Sequence, residues 1–156
     1  MQHHLAPGEW TYDWLWGSVL IVTSAVLHTF GLMVIVVGIR KILDIAEGLR
    51  TPRPFQRFSA VIAVTSLSLV VLHSLEACLW AAVLVWLDAC PTFRTAIYFS
   101  LQMVTTLGAD TIQLEDSWRL MGPLEGIGGM LMFGLSTAFL FAVMQRAWPF
   151  PERRSG

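Results

Sequence analysis

The chain has 156 residues, 55% of them hydrophobic and 13% charged, against about 45–50% and about 25% in soluble domains; this is the composition of a membrane protein. A formal net charge of −1 and the lack of any block of like charges leave no basic field, so no nucleic-acid partner is expected. The length suits one membrane domain, without a separate soluble domain for catalysis or ligand binding.

Taken in chain order, the first candidate span is residues 17–38, GSVLIVTSAVLHTFGLMVIVVG, long enough for the roughly 20 apolar residues a hydrocarbon core requires. The segment before it has no basic n-region, and no small-residue cleavage site follows the span, so it reads as a retained helix. TPRPF at 51–55 marks a turn. A second apolar run, 58–87, is interrupted only by His73 and Glu76, and a third, 120–144, carries Glu125 near its start. Between them lies PTFRTAIYFSLQMVTT, whose helix-like stretch of about fourteen residues would rise only about 20 Å. That is too short to cross, so it is re-entrant or interfacial. The expected fold is an all-α membrane protein with three transmembrane helices, a re-entrant pore helix and a filter loop.

Basic residues set the orientation, because short Lys/Arg-rich loops stay cytoplasmic. Arg40, Lys41, Arg50, Arg53 and Arg57 fall between the first two spans, and Arg146, Arg153 and Arg154 follow the third; only Arg94 and Arg119 lie between spans two and three. The N-terminus is therefore expected outside and the C-terminus inside, in a cell inner membrane. Trp10, Trp14, Trp16, Trp86 and Trp118 then gather at the outer interface and Trp148 at the inner one, as aromatic belts do. Cys78 and Cys90 read as positions on one helix, about 18 Å apart at 1.5 Å per residue, which excludes a disulfide within one subunit. Cys90 reads as a buried free thiol or as a cross-link between subunits.

Residues 105–111, TTLGADT, are polar and follow a short apolar helix. Irregular backbone at membrane depth is tolerated only where it is buried in protein or lines a water-filled path. A surface hairpin would not need the apolar AIYFSLQMV before it, whereas a pore loop does: a half-helix directs its negative C-terminal end inward, and turn carbonyls replace the hydration of a cation.

The stretch AIYFSLQMVTTLG resembles the pore domain of tetrameric potassium channels, whose pore helix ends Y-F-S-x-x-T-x-T-T-[VL]-G-Y-G-D. Tyr98, Phe99, Ser100, Thr105, Thr106, Leu107 and Gly108 stand in that pattern. Ala109 replaces the family's Tyr, Asp110 its second Gly and Thr111 its Asp. The resemblance covers about residues 70–147. It implies a homotetramer with Thr105, Thr106, Leu107, Gly108, Ala109 and Asp110 as selectivity filter, Gly129 as inner-helix hinge, and Met130, Phe133 and Thr137 lining the cavity. Those last three also share one helical face by spacing alone. Ala109 removes the ring that braces the family's filter, and four copies of Asp110 would set a carboxylate ring at the outer mouth. Rings of this kind concentrate cations. The expectation is a cation channel with weakened K⁺ selectivity, conducting K⁺ and Na⁺ and admitting or blocked by Ca²⁺; the alternative is a non-conducting pore-fold protein acting in assembly or regulation.

His28, His73 and Glu76 are ionisable groups at membrane depth, where such groups are costly and face the bundle interior. His73 and Glu76 are three apart, hence on one helical face. They read as a hydrogen-bonded contact between helices in which His73 or His28 meets Glu76, as a pH-sensitive latch, or as a metal site, for which two His and one Glu are suitable in type but no fourth ligand is evident. The expectation is no bound cofactor and no metal beyond permeating ions. Glu125 should support the filter by bonding the loop backbone or Arg119. No nucleophile, phosphate loop or second carboxylate at catalytic spacing is present on a shared helix, which argues against an enzyme. The chain then divides into an N-terminal segment with the extra outer helix and cytoplasmic loop (1–57), a pore domain (58–148) and a cytoplasmic tail (149–156), with membrane lipids as the other expected partner.

Overall fold

A computed structural model describes residues 10–48, 54–108 and 111–148. Helix α1 runs Trp10–Gly48, α2 Pro54–Trp86, α3 Phe93–Val104 and α4 Met121–Ala147, with one 3-10 turn at Asp116–Trp118 before α4. Three helices are long and apolar enough to cross a membrane, as expected, and α3 is not. The described residues contain no strand.

Pairings between side chains give the register. Ser24 accepts a 3.1 Å hydrogen bond from Trp80 Nε1, and His28 meets Glu76 at 2.8 Å. One turn forward on α1 thus matches one turn back on α2, so the two are antiparallel. A Cβ on Gly17 would strike Leu124, and His28 approaches Ser136 at 3.1 Å, so α1 and α4 run parallel. Trp16 meets Trp86 edge-on at 5.4 Å at one end of the bundle, and Phe58 meets Trp148 edge-on at 5.6 Å at the other. Trp16 and Trp86 therefore lie at the opposite end of the bundle from Trp148.

The buried stripe of α1 is mostly small or polar: Asp13, Gly17, Ser24 and His28, with Leu20 among them, recur every three or four residues. On the rest of α1, Tyr12, Val22, Val26 and Phe30 are exposed, the pattern of a helix solvated by lipid on most of its circumference. Asp13 also lies against the neighbouring helix. Its carboxylate comes close to the backbone of Leu120, the N-cap residue of α4, where an acidic group suits the positive end of a helix.

The main core lies at the end where α3 is inserted, with Leu20, Trp80, Ala81, Leu84, Ala96, Phe99, Leu114 and Met121 packed together. Helix α2 ends in a tight reversal: Asp88 adopts φ 55°, its N–H bonds Val85 O at 3.1 Å, and Ala89 N–H bonds Leu84 O at 2.9 Å. This is a Schellman cap, and Asp tolerates the left-handed conformation better than most residues. Cys90 therefore lies beyond the end of α2 in the turn, not on one helix with Cys78. Both cysteines are free, with Cys90 buried and Cys78 partly so. Thr92 then caps α3, accepting from Thr95 N–H at 3.2 Å.

Candidate functional site: pore loop and buried polar cluster

Helix α3 presents Ala96, Phe99, Ser100 and Val104 to the bundle and leaves Tyr98 and Leu101 exposed on its other side. Its C-terminal end approaches α4 closely. A Cβ on Gly129 would fall inside contact distance of the Val104 carbonyl oxygen and 2.8 Å from Val104 Cα. Gly129 is thus held to glycine by packing against α3, and α4 passes through it without interruption. Met130, Phe133 and Thr137 are exposed in the single chain, although Phe133 also meets α2 through His73.

Past Val104 the chain turns through a second Schellman cap. Thr106 takes φ 59°, a left-handed conformation uncommon for a β-branched residue. Its N–H bonds Met103 O at 2.9 Å, Leu107 N–H bonds Gln102 O at 2.9 Å, Gly108 N–H reaches Gln102 O at 3.3 Å, and Thr105 N–H bonds Leu101 O at 3.4 Å. The Thr105 hydroxyl donates to Leu101 O at 2.7 Å. Gly108 continues with φ 80°, a conformation glycine adopts at no steric cost. Every backbone donor from Thr105 to Gly108 is therefore directed back onto α3. Among the described residues no backbone N–H bonds the carbonyls of those four positions. Donors are spent and acceptors remain, the polarity that suits a cation and not an anion. Ala109 and Asp110 lie outside the described residues.

Glu125 is fully buried on α4 beside Ser100 of α3. Neither carboxylate oxygen, nor Ser100 Oγ, has a partner at hydrogen-bond geometry. Arg119, one of the two expected partners, is occupied elsewhere: its Nε lies 3.1 Å from Asp116 and its Nη2 donates to Gln113 at 3.2 Å, on an exposed surface; the loop backbone, the other, does not bond Glu125 either. Arg119 precedes α4 and faces outward, while Glu125 lies more than a turn inside the helix and faces α3.

The three intramembrane ionisable residues are brought together. His28 Nδ1 lies 2.8 Å from Glu76 Oε1, and His73 Nδ1 lies 3.3 Å from Glu76 Oε2. His28 thus makes the expected interhelical hydrogen bond to Glu76, while His73 approaches the other carboxylate oxygen without hydrogen-bond geometry. Sequence reasoning also missed Ser136 of α4, whose Oγ lies 3.0 Å from His73 Nε2 and 3.1 Å from His28 Nε2. Nothing in its spacing distinguished it. Hydroxyls in these helices usually bond their own carbonyl one turn back, as Thr65 does to Val61 and Thr137 to Phe133, and a serine of that kind looks the same in sequence. The cluster joins α1, α2 and α4, and Phe133 stacks on His73 with ring centroids 4.5 Å apart.

No curated protein and no solved structure matches the chain. Residues 72–146, a little under half of it, match the family described as an ion channel. That stretch takes in His73 and Glu76, the whole of α3 and its loop, and nearly all of α4; the match is consistent with a pore domain of the potassium-channel type.

Proposed function

We propose that four copies of this chain form a cation channel in which Thr105–Asp110 is the selectivity filter. The observation that carries this reading is the loop from Thr105 to Gly108, where all backbone donors bond α3 and the carbonyls are left for an ion. Four loops around one axis are required, since one subunit supplies one loop. The exposed Tyr98, Leu101 and Leu107 at the insertion offer apolar surface to neighbouring copies. Met130, Phe133 and Thr137 line the cavity, Gly129 and the segment around it set the angle of the inner helix, and Glu125 supports the filter from behind. The loop between α1 and α2 and the C-terminus face the cytoplasm of a bacterial cell, following the eight basic residues assigned to that side.

Selectivity follows from Ala109 and Asp110. With no aromatic brace and a carboxylate ring at the mouth, the channel passes K⁺ and Na⁺ with weak discrimination, and Ca²⁺ permeates or blocks from outside. Flux of K⁺, Na⁺ and Ca²⁺ into vesicles holding the purified protein tests this directly. Asp110→Asn should weaken the Ca²⁺ effect, and the double change Ala109→Tyr with Asp110→Gly, which rebuilds T-L-G-Y-G, should shift preference to K⁺. Strong K⁺ preference in the wild type together with unchanged Ca²⁺ sensitivity in Asp110→Asn would overturn the account of the filter. Silence in planar bilayers under every ion would replace the channel with a pore-fold protein that acts in assembly or regulation.

A further inference from the structure

Four contacts close a ring in the cluster of His28, His73, Glu76 and Ser136: His28 Nδ1 to Glu76, Glu76 to His73 Nδ1, His73 Nε2 to Ser136, and Ser136 to His28 Nε2. Three of them are hydrogen bonds. The fourth is not: His73 Nδ1 and Glu76 Oε2 are buried and 3.3 Å apart, yet neither makes a hydrogen bond. Glu76 itself is only 4% exposed, so two polar atoms face each other without a bond and with no solvent to relieve them.

A divalent transition metal bound between these atoms would give both a partner. We infer that His28 Nδ1, His73 Nδ1 and the Glu76 carboxylate form a binding site for Zn²⁺ or a similar ion, with Ser136 as its outer support. The candidate ligand atoms all lie within 4.8 Å of one another, and tetrahedral bonds of about 2.0–2.1 Å place neighbouring ligands about 3.4 Å apart; the two contacts with Glu76, at 2.8 and 3.3 Å, lie close to that spacing. With both Nδ1 lone pairs on the metal, both Nε2 atoms carry hydrogens and donate to the two lone pairs of Ser136 Oγ, at 3.0 and 3.1 Å. The serine hydrogen is then free to bond the helix carbonyl one turn back. Ligating histidines characteristically donate their other ring N–H to an oxygen, which fixes the tautomer; here one hydroxyl serves both rings. The fourth tetrahedral position is left for water. His73, 13% exposed and the most open of the three ligands, marks the side of entry, next to Phe133.

The inference concerns binding and goes beyond conduction, so its test does not use ion flux. Untagged protein in detergent, stripped with a chelator and dialysed against Zn²⁺, should retain one Zn²⁺ per subunit by elemental analysis and unfold at a higher temperature than the stripped form. Co²⁺ in its place should give the visible absorption of a tetrahedral site. His28→Gln and His73→Gln, which keep a polar side chain, should each weaken binding at least tenfold, and Ser136→Ala should weaken it by about tenfold, as loss of outer support does. Replacing His3 and His4 of the N-terminal MQHH should change nothing. The inference is overturned if the wild type takes up no Zn²⁺ or Co²⁺ in stoichiometric amount, if His73→Gln binds as the wild type does, or if binding disappears with His3 and His4. Should His28→Gln fail to assemble, the Co²⁺ spectrum of the wild type and the Ser136→Ala affinity decide the matter.

Discussion

The two halves of the bundle are held by different physics. At the end where α3 is inserted, the contact with α4 depends on how closely two backbones approach: Gly129 meets the peptide of Val104, and the buried polar groups nearby, Glu125 and Ser100, form no hydrogen bond. At the level of His28, the helices are joined instead by directional polar contacts, with Ser24 to Trp80 on one side and the His28, His73, Glu76 and Ser136 ring beside it. In a membrane neither half has a hydrophobic driving force between helices, so close packing and interhelical hydrogen bonds are the available means of association. The close-packed half tolerates no added atoms; the polar half tolerates substitutions that keep a donor or acceptor in place.

The largest effect should come from Gly129→Val. Overpacking of a filled site costs about 1–3 kcal/mol or more, and here the obstacle is backbone, which cannot rotate away. Size-exclusion chromatography and thermal unfolding should show loss of the assembled state; an unaltered variant would mean that α3 does not approach α4 as described. Glu125→Met comes next and in the opposite direction. A buried polar group without a partner costs about 1–3 kcal/mol, so an apolar side chain of similar length should stabilise the protein, as measured by the temperature of unfolding. A marked loss would show that Glu125 has a partner in the assembled channel, and would sharpen its role behind the filter.

In the polar half, Glu76→Ala in metal-free protein should cost on the order of 1 kcal/mol, because interhelical polar contacts in membranes average about 0.6 and seldom exceed 1.7 kcal/mol. Glu76→Gln should be milder, since an amide can still meet one of the two imidazoles. The smallest change is expected for Trp80→Phe, which removes a single indole N–H bond to Ser24 and should cost about 0.6 kcal/mol by the same measure. If Trp80→Phe proves worse than Glu76→Ala, packing dominates at this level too and the contrast between the halves fails.

Hydropathy along the sequence was enough to determine three crossing helices and one that could not cross, because the length of an apolar run against the thickness of a bilayer is a one-dimensional question. Chain-local chemistry likewise marked the polar turn at Thr105–Gly108 and the cost of His28, His73 and Glu76 at depth. Only the tertiary structure decided what those groups meet. Asp13 reaches across to the N-terminus of α4, Ser136 supplies the oxygen between the two histidines, and Arg119 turns outward so that Glu125 faces Ser100. Each outcome depends on the rotation and register of one helix against another, set by contacts such as Gly17 with Leu124 and Gly129 with Val104. The spacing of residues along their own helices carries no information about that register.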